Sequence, residues 1–228
     1  MRPVLLQRRT IWCPTLLGWI CLVGLTVVPC LFWWFRGESF LSVTARQPAA
    51  EILVVEGWIG IEGMRAAAAE FKASDAIAIV TTGGLNDEHW SEKRSSYAEM
   101  ARYELIRAGV PENRVFAATA TQVETQRTFQ MAVAAWRLLQ GRQPLPASIN
   151  VFTAGPHARR TRLVFAKVFQ PGIRVGVVSW TRAAYQGEPW WHSSERANDF
   201  MKETVAYVYE ALLNCGRGSN SPLPQDGR

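Results

Sequence analysis

The stretch Ser148–Arg162, SINVFTAGPHARRTR, passes from an apolar run through a Gly-Pro turn into a helical pattern, and that passage decides the fold. Ser148–Thr153 reads as a short strand. Gly155-Pro156 turns the chain, and Pro156 suits the first turn of a helix running to Phe169. The same strand–turn–helix unit recurs on both sides. Ile52–Glu56 (ILVVE) is nearly all apolar, as a strand covered on both faces should be, and a helix over Glu62–Ala73 follows it. Ala76–Thr82 is the second strand, closed by Gly83-Gly84. The next helix, Ser91–Ala108, is stopped by Gly109 and Pro111. Arg114–Ala118 is a third strand, Glu124–Leu139 a helix, Arg174–Ser179 a fifth strand, and Ser194–Leu213 a closing helix. Strands alternating with helices make βαβ units, so the expected fold is α/β, with a mostly parallel sheet of about five strands covered on both faces. The α/β domain is placed at 51–214, behind a linker at 36–50. The tail at 215–228, rich in Gly, Ser and Pro, reads as disordered.

The chain has 228 residues and a net charge of +6. Between Arg46 and Leu213 there are 19 Lys and Arg against 17 Asp and Glu, a surplus of only two, and the rest of the excess lies in the ends. A nucleic-acid binder carries its basic excess on the folded domain, so nucleic acid is not an expected partner. Cys13, Cys21 and Cys30 fall in the apolar N-terminal run and Cys215 lies at the far end. The domain therefore offers no cysteine pair for a disulfide or a zinc site.

Thr10–Phe35 is a run of 26 residues without a charge, flanked by Arg8-Arg9 and Arg36. It is long enough to cross a bilayer core. Trp12, Trp33 and Trp34 stand where an aromatic belt would place them, and Pro14 and Pro29 are read as near the ends. The end of the run lacks a small-x-small cleavage site, which argues for an anchor over a removed signal. The expected layout is a cytoplasmic tail at 1–9, a single membrane span at 10–35, and a domain facing the periplasm or cell exterior, since Arg2, Arg8 and Arg9 outweigh Arg36. The opposite orientation, with a cytosolic nucleotide as ligand, is the competing topology.

In open parallel sheets ligands bind at the carboxyl ends of the strands, and four loops lie there. Glu56-Gly57-Trp58 follows the first strand; Glu56 reads either as a catalytic carboxylate or as a helix-capping or turn residue, and Gly57 and Trp58 are candidate ligand contacts. Thr81-Thr82-Gly83-Gly84 lets a backbone approach a ligand, making Thr82, Gly83 and Gly84 candidate contacts. No GxGxxG or P-loop pattern accompanies it. Thr121–Thr128 opens a helix, with Thr125 and Arg127 as candidate ligand contacts and a bland helix cap as the alternative for Thr125. The fourth loop carries His157, Arg159, Arg160 and Arg162 in the first two turns of a helix, where the dipole disfavours cations. That arrangement makes sense if an anion such as phosphate or carboxylate sits there, held by Arg159 and Arg160, with His157 as general acid or base. The three histidines, His89, His157 and His192, form no recognisable metal set, so no metal is expected, and no motif names a cofactor. Trp190-Trp191 reads as packing or as a crevice wall.

The order and spacing of Val54–Gly57, Thr82–Gly84, Ser96–Ala98, Gly109–Pro111, Thr121–Thr128 and Thr153–His157 with Arg160 resemble the ElyC/SanA/YdcF-like envelope proteins, over about residues 50–213. Where that pattern has Ser-Glu-Ala this chain has Ser96-Tyr97-Ala98, and Thr125-Gln126-Arg127-Thr128 stands for Thr-x-Glu-Asn, so two carboxylates are absent. The resemblance implies a Rossmann-like three-layer α/β/α sandwich behind one transmembrane helix, and a role in cell-envelope polysaccharide or peptidoglycan biology. The expected ligand is an anionic small molecule or a lipid-linked sugar. Turnover, sensing of a nucleotide-like ligand without turnover, and scaffolding of envelope assembly all stay open, and protein partners are not indicated.

Overall fold

The computed structural model describes residues 13–85, 96–120, 126–142, 144–169 and 172–214. Thr125, His89, the termini at 1–9 and 215–228, and the start of the expected Ser91 helix lie outside them.

Five strands, β1 (Ile52–Glu56), β2 (Ala78–Gly83), β3 (Val115–Thr119), β4 (Ser148–Ala154) and β5 (Arg174–Trp180), form one sheet in the order β3-β2-β1-β4-β5. Every neighbouring pair is parallel. The connecting helices are α2 (Gly60–Ala73), α3 (Tyr97–Arg107), α4 (Arg127–Gln140) and α5 (His157–Phe169), and α6 (Ser194–Val208) follows β5. The last turn, Tyr209–Leu213, widens to a π-helix.

Alternation along β1 fixes which helices cover which face. Ile52 and Val54 pack with Phe129 and Ala132 of α4 and Val164 and Phe165 of α5. Leu53 and Val55 pack with Ala67 and Phe71 of α2 and Leu105 of α3. Each of the Val, Leu, Ile and Phe side chains contributes about 1.5–3 kcal/mol on burial, so both faces are needed to hold the sheet. By the same period of two, Glu56 falls on the α4/α5 face.

The element starts follow local chemistry. α3 begins at Tyr97 because Ser96 and Glu99 form a capping box, the Ser96 hydroxyl accepting from the Glu99 amide. α4 begins at Arg127, after Gln126 in a left-handed conformation (φ 55°).

Residues 38–50, expected to belong to a linker, are held to the domain. Ala45 makes an antiparallel bridge with Val177 on the free edge of β5, and Thr44 accepts from the Ser179 amide. The Gln47 amide donates to Asn150 Oδ1 at 2.7 Å. A side chain at Gly176 would collide with Asn150 Oδ1 at 2.1 Å and the Gln47 amide at 2.5 Å, so the edge is covered only because position 176 is glycine.

The N-terminal unit, Met1–Gly37, is distinct from the unit Glu38–Arg228. Among the described residues one helix, α1 (Leu16–Leu41), is long and apolar enough to cross a membrane. It extends six residues beyond Phe35, so Pro29, read from sequence as near the end of the span, lies inside the helix.

Candidate functional site

Strand order reverses direction between β1 and β4, and at such a switch point the two flanking connections leave on opposite faces and open a crevice. β1 ends there in Glu56 and β4 in Thr153-Ala154. The register that pairs Val55 with Phe152 puts Thr153 beside Glu56, and the Thr153 hydroxyl donates to Glu56 Oε2. Thr161 of α5 donates to the other oxygen at 3.3 Å. Glu56 is fully buried.

α5 begins directly above this carboxylate. His157 Nε2 lies 3.6 Å from Glu56 Oε2, and its Nδ1 lies 2.9 Å from Oε1 of Glu203 on α6. Arg160, one turn on, donates Nε to Glu203 Oε2 at 2.7 Å and Nη2 to Oε1 at 2.9 Å, a two-pronged pair. Its Nη1 donates to the Thr128 hydroxyl at 3.0 Å. Burial, the largest influence, works against a charged His157, and Arg160 opposes it too, but Glu56 and Glu203 together outweigh them, so the imidazole pKa rises above its ordinary 6.5. Arg160 Nη2 lies 2.9 Å from both His157 Nδ1 and Glu203 Oε1; in the charged form Nδ1 donates to Glu203, so Nη2 also donates to that carboxylate and not to the ring. For Glu203, burial favours the neutral acid, but His157 and Arg160 overcome it and hold the carboxyl well below the usual range. The Arg160 guanidinium is raised for the matching reason: the Glu203 hydrogen bond and charge exceed the cost of burial.

This cluster forms the floor of a cleft of about 1100 Å³. His157, 12% exposed, lies at that floor beside Glu203, 5% exposed. The Trp58 ring stands edge-on to the imidazole with centroids 5.0 Å apart, and Tyr97, Trp180 and Tyr185 add aromatic walls. Arg127 and Lys202 line the cleft and form no ion pair with another described residue.

The structure thus brings His157, Arg160, Trp58, Gly83, Gly84 and Arg127 around one cleft, with Glu56 beneath it. It separates the other candidates. Arg159 points away: its guanidinium stacks 3.7 Å from the Phe40 ring centroid and donates to the Phe40 carbonyl. Thr82 is buried and donates to the Met131 carbonyl at 3.0 Å, which ties β2 to α4 and leaves no hydroxyl for a ligand. Gly57 is glycine for packing, since a Cβ there would lie 2.3 Å from the Tyr97 carbonyl oxygen. At Gly83 a Cβ would meet the Tyr97 Cβ at 2.5 Å, so this glycine also serves the approach of α3. Trp190 is buried on Phe200 with ring centroids 4.4 Å apart, which is the packing reading.

The anion expected at the start of α5 is therefore supplied by the chain itself, as Glu203 and Glu56. Glu203 was missed from sequence because it lies 46 residues from His157. A signal existed: Arg196, Phe200 and Glu203 share one helical stripe, and acids or bases at core-facing spacing mark a buried pair. Among the described residues no group of three or more His, Cys, Asp or Glu is arranged to hold a metal ion.

Fold and site together define an α/β protein with a polar, carboxylate-clasped histidine at the switch point of a five-stranded parallel sheet. Comparison with family models and with curated proteins finds no match to this chain.

Proposed function

We propose that this chain is a membrane-anchored cell-envelope protein that binds or processes an anionic, phosphate- or carboxylate-bearing precursor such as a lipid-linked sugar. The likeness to the ElyC/SanA/YdcF-like pattern, and a domain facing the periplasm or cell exterior, are parts of this reading. The observation that carries it is that Arg127 and Lys202, neither in an ion pair with another described residue, line a cleft whose floor holds His157, its pKa raised. Glu38, three residues beyond the last residue of the charge-free run, also lines the cleft, so a headgroup still attached to a lipid is within reach. The aromatic walls suit the faces of sugar rings. In a processing reaction His157 is the proton donor and takes its proton back from water, and the neighbouring Glu56 and Glu203 carboxylates favour its charged form.

A second reading is ligand sensing without turnover. One observation favours it: both ring nitrogens of His157 and both oxygens of Glu203 already have protein partners. Turnover of a bound ligand by the purified full chain separates the two.

The test of binding uses the full chain in lipid nanodiscs, titrated with a long-chain alkyl phosphate and with the matching alcohol. The phosphate binds and the alcohol does not. Arg127→Ala weakens the phosphate about tenfold or more, the loss of one charge-assisted contact. Equal affinity for phosphate and alcohol, or an unchanged Arg127→Ala, rules the reading out.

A further inference from the structure

Four acidic side chains line the cleft, and three of them have donors. Glu203 is held by His157 and Arg160, Glu38 accepts from Arg196, and Glu195 accepts from the Ser193 hydroxyl at 2.7 Å. The fourth, Asp199, has no hydrogen bond and no ion pair with another described residue. Its place on α6 explains why it faces the cleft. Asp199 lies one turn before Glu203, and residues four apart share a helix face. Glu203 is held against His157, so Asp199 stands on the same side, one turn nearer the start of the helix. Its side chain stays open to the cleft. Burial raises its carboxyl above the ordinary 3.8; Lys202 pulls it down, Glu203 pushes it up, and His157 pulls it down. The group has lost part of its water and gained no protein donor in exchange. A ligand that donates a hydrogen bond there recovers that cost.

The charges of the cleft are sorted about Arg160. Thr128 of α4 accepts from its Nη1 at 3.0 Å, while Glu203 of α6 accepts from its Nε and Nη2. The guanidinium therefore stands between the start of α4 and the inner face of α6. Arg127, next to Thr128, lies on the α4 side, and Asp199 on the α6 side. Lys202 shares the α6 side, but Asp199, three residues before it, offsets its pull on an anion. An acid group is thus drawn to Arg127, and whatever meets Asp199 has to donate, since a carboxylate only accepts. Aromatic side chains stand beside that carboxylate. Arg196, three residues before Asp199, lies 5.4 Å from the centroid of the Tyr185 ring, and Tyr185 and Trp180 both line the cleft. Hydroxyls around the rim of a ring whose C–H faces are apolar fit both features: the rim supplies donors and the faces rest on aromatic side chains.

We propose that the cleft takes a sugar phosphate, with its phosphate at Arg127 and neighbouring hydroxyls donating to the Asp199 carboxylate. This rests on the anion-binding reading given above. It deepens that reading by naming the part of the ligand that is not the acid and the residue that selects it.

The test titrates the full chain in lipid nanodiscs, by calorimetry, with methyl phosphate and with the 1-phosphates of glucose, galactose and mannose. All carry the same phosphomonoester, so the sugar is the difference between them. At least one hexose phosphate binds about tenfold or more tightly than methyl phosphate. Asp199→Ala removes that advantage and leaves methyl phosphate bound at least as tightly as before, since a like charge has gone. Asp199 bonds to no other described residue, so the variant keeps its fold, which circular dichroism checks. Arg127→Ala weakens every phosphate. If each hexose phosphate binds only as methyl phosphate does, or if the advantage survives Asp199→Ala, the role of Asp199 is overturned and the anion reading stands. If no phosphate binds, or Arg127→Ala changes nothing, the anion reading fails and this proposal falls with it.

Discussion

The two sides of the sheet are built differently at its carboxyl edge, although the same strands supply both. On the α2/α3 side the backbones close on one another. Gly57 and Gly83 admit the Tyr97 segment at distances that no side chain would allow, and Thr81 ties β2 to the Ala98 carbonyl at 2.8 Å. On the α4/α5 side, one residue along each strand, Glu56 and Thr153 turn toward His157 and Thr161. A one-residue step along a strand thus separates a sealed wall from a polar site. Glycines beside a sheet edge read easily as a ligand cradle, but here two of three serve the wall.

The sharpest way to break this contrast is to remove the polar side's keystone. Glu203→Ala leaves Arg160 and His157 buried without their carboxylate and should destabilise the domain by about 3–5 kcal/mol in urea unfolding. A loss below about 1 kcal/mol, the range of exposed pairs, would show the cluster to be solvated. On the sealed side, Gly57→Ala drives a methyl into the Tyr97 carbonyl and should cost about 1–3 kcal/mol by the same measurement. Full stability in that variant would mean the wall is soft.

The pH profile sharpens the polar side further. The folded pKa of His157 is raised, so its stabilising contribution is complete below the ordinary value of 6.5 and is lost as pH rises through the folded value. The folded pKa of Glu203 is lowered, so its contribution is present above the ordinary 4.5 and is lost as pH falls through the folded value. Stability should therefore be level between those two ordinary values and fall on the alkaline side. His157→Gln should remove the alkaline fall, as read from unfolding midpoints across pH. The smallest effect belongs to Gly84→Ala, where a Cβ meets nothing within 4 Å, and stability should change by less than about 0.5 kcal/mol.

Most of the framework was legible in the sequence because buried parallel strands declare themselves as short apolar runs. ILVVE gave β1 to the residue, and the alternation of strands and helices gave the layers. The site was legible where it lay on one strand–turn–helix unit, as with His157 and Arg160 after β4. It was not legible where partners came from distant chain, as with Glu203. Arg159 and Arg160 look alike in a sequence, yet helical phase parts them. Arg160 shares a face with His157, while Arg159 lies a third of a turn away and stacks on Phe40. Gly57 and Gly83 misled for a related reason: the backbone they admit belongs to Tyr97 of α3, 40 and 14 residues downstream, and no local pattern announces it.

The measurement that bears most directly on the polar site is the NMR titration of the His157 imidazole in the full chain, its signal assigned by loss in His157→Gln. The expected result is a midpoint above 6.5, with the resonance moving when an alkyl phosphate is added. A midpoint at or below 6.5, on a signal indifferent to that ligand, would contradict a charged imidazole clasped between Glu56 and Glu203 at the floor of a binding cleft.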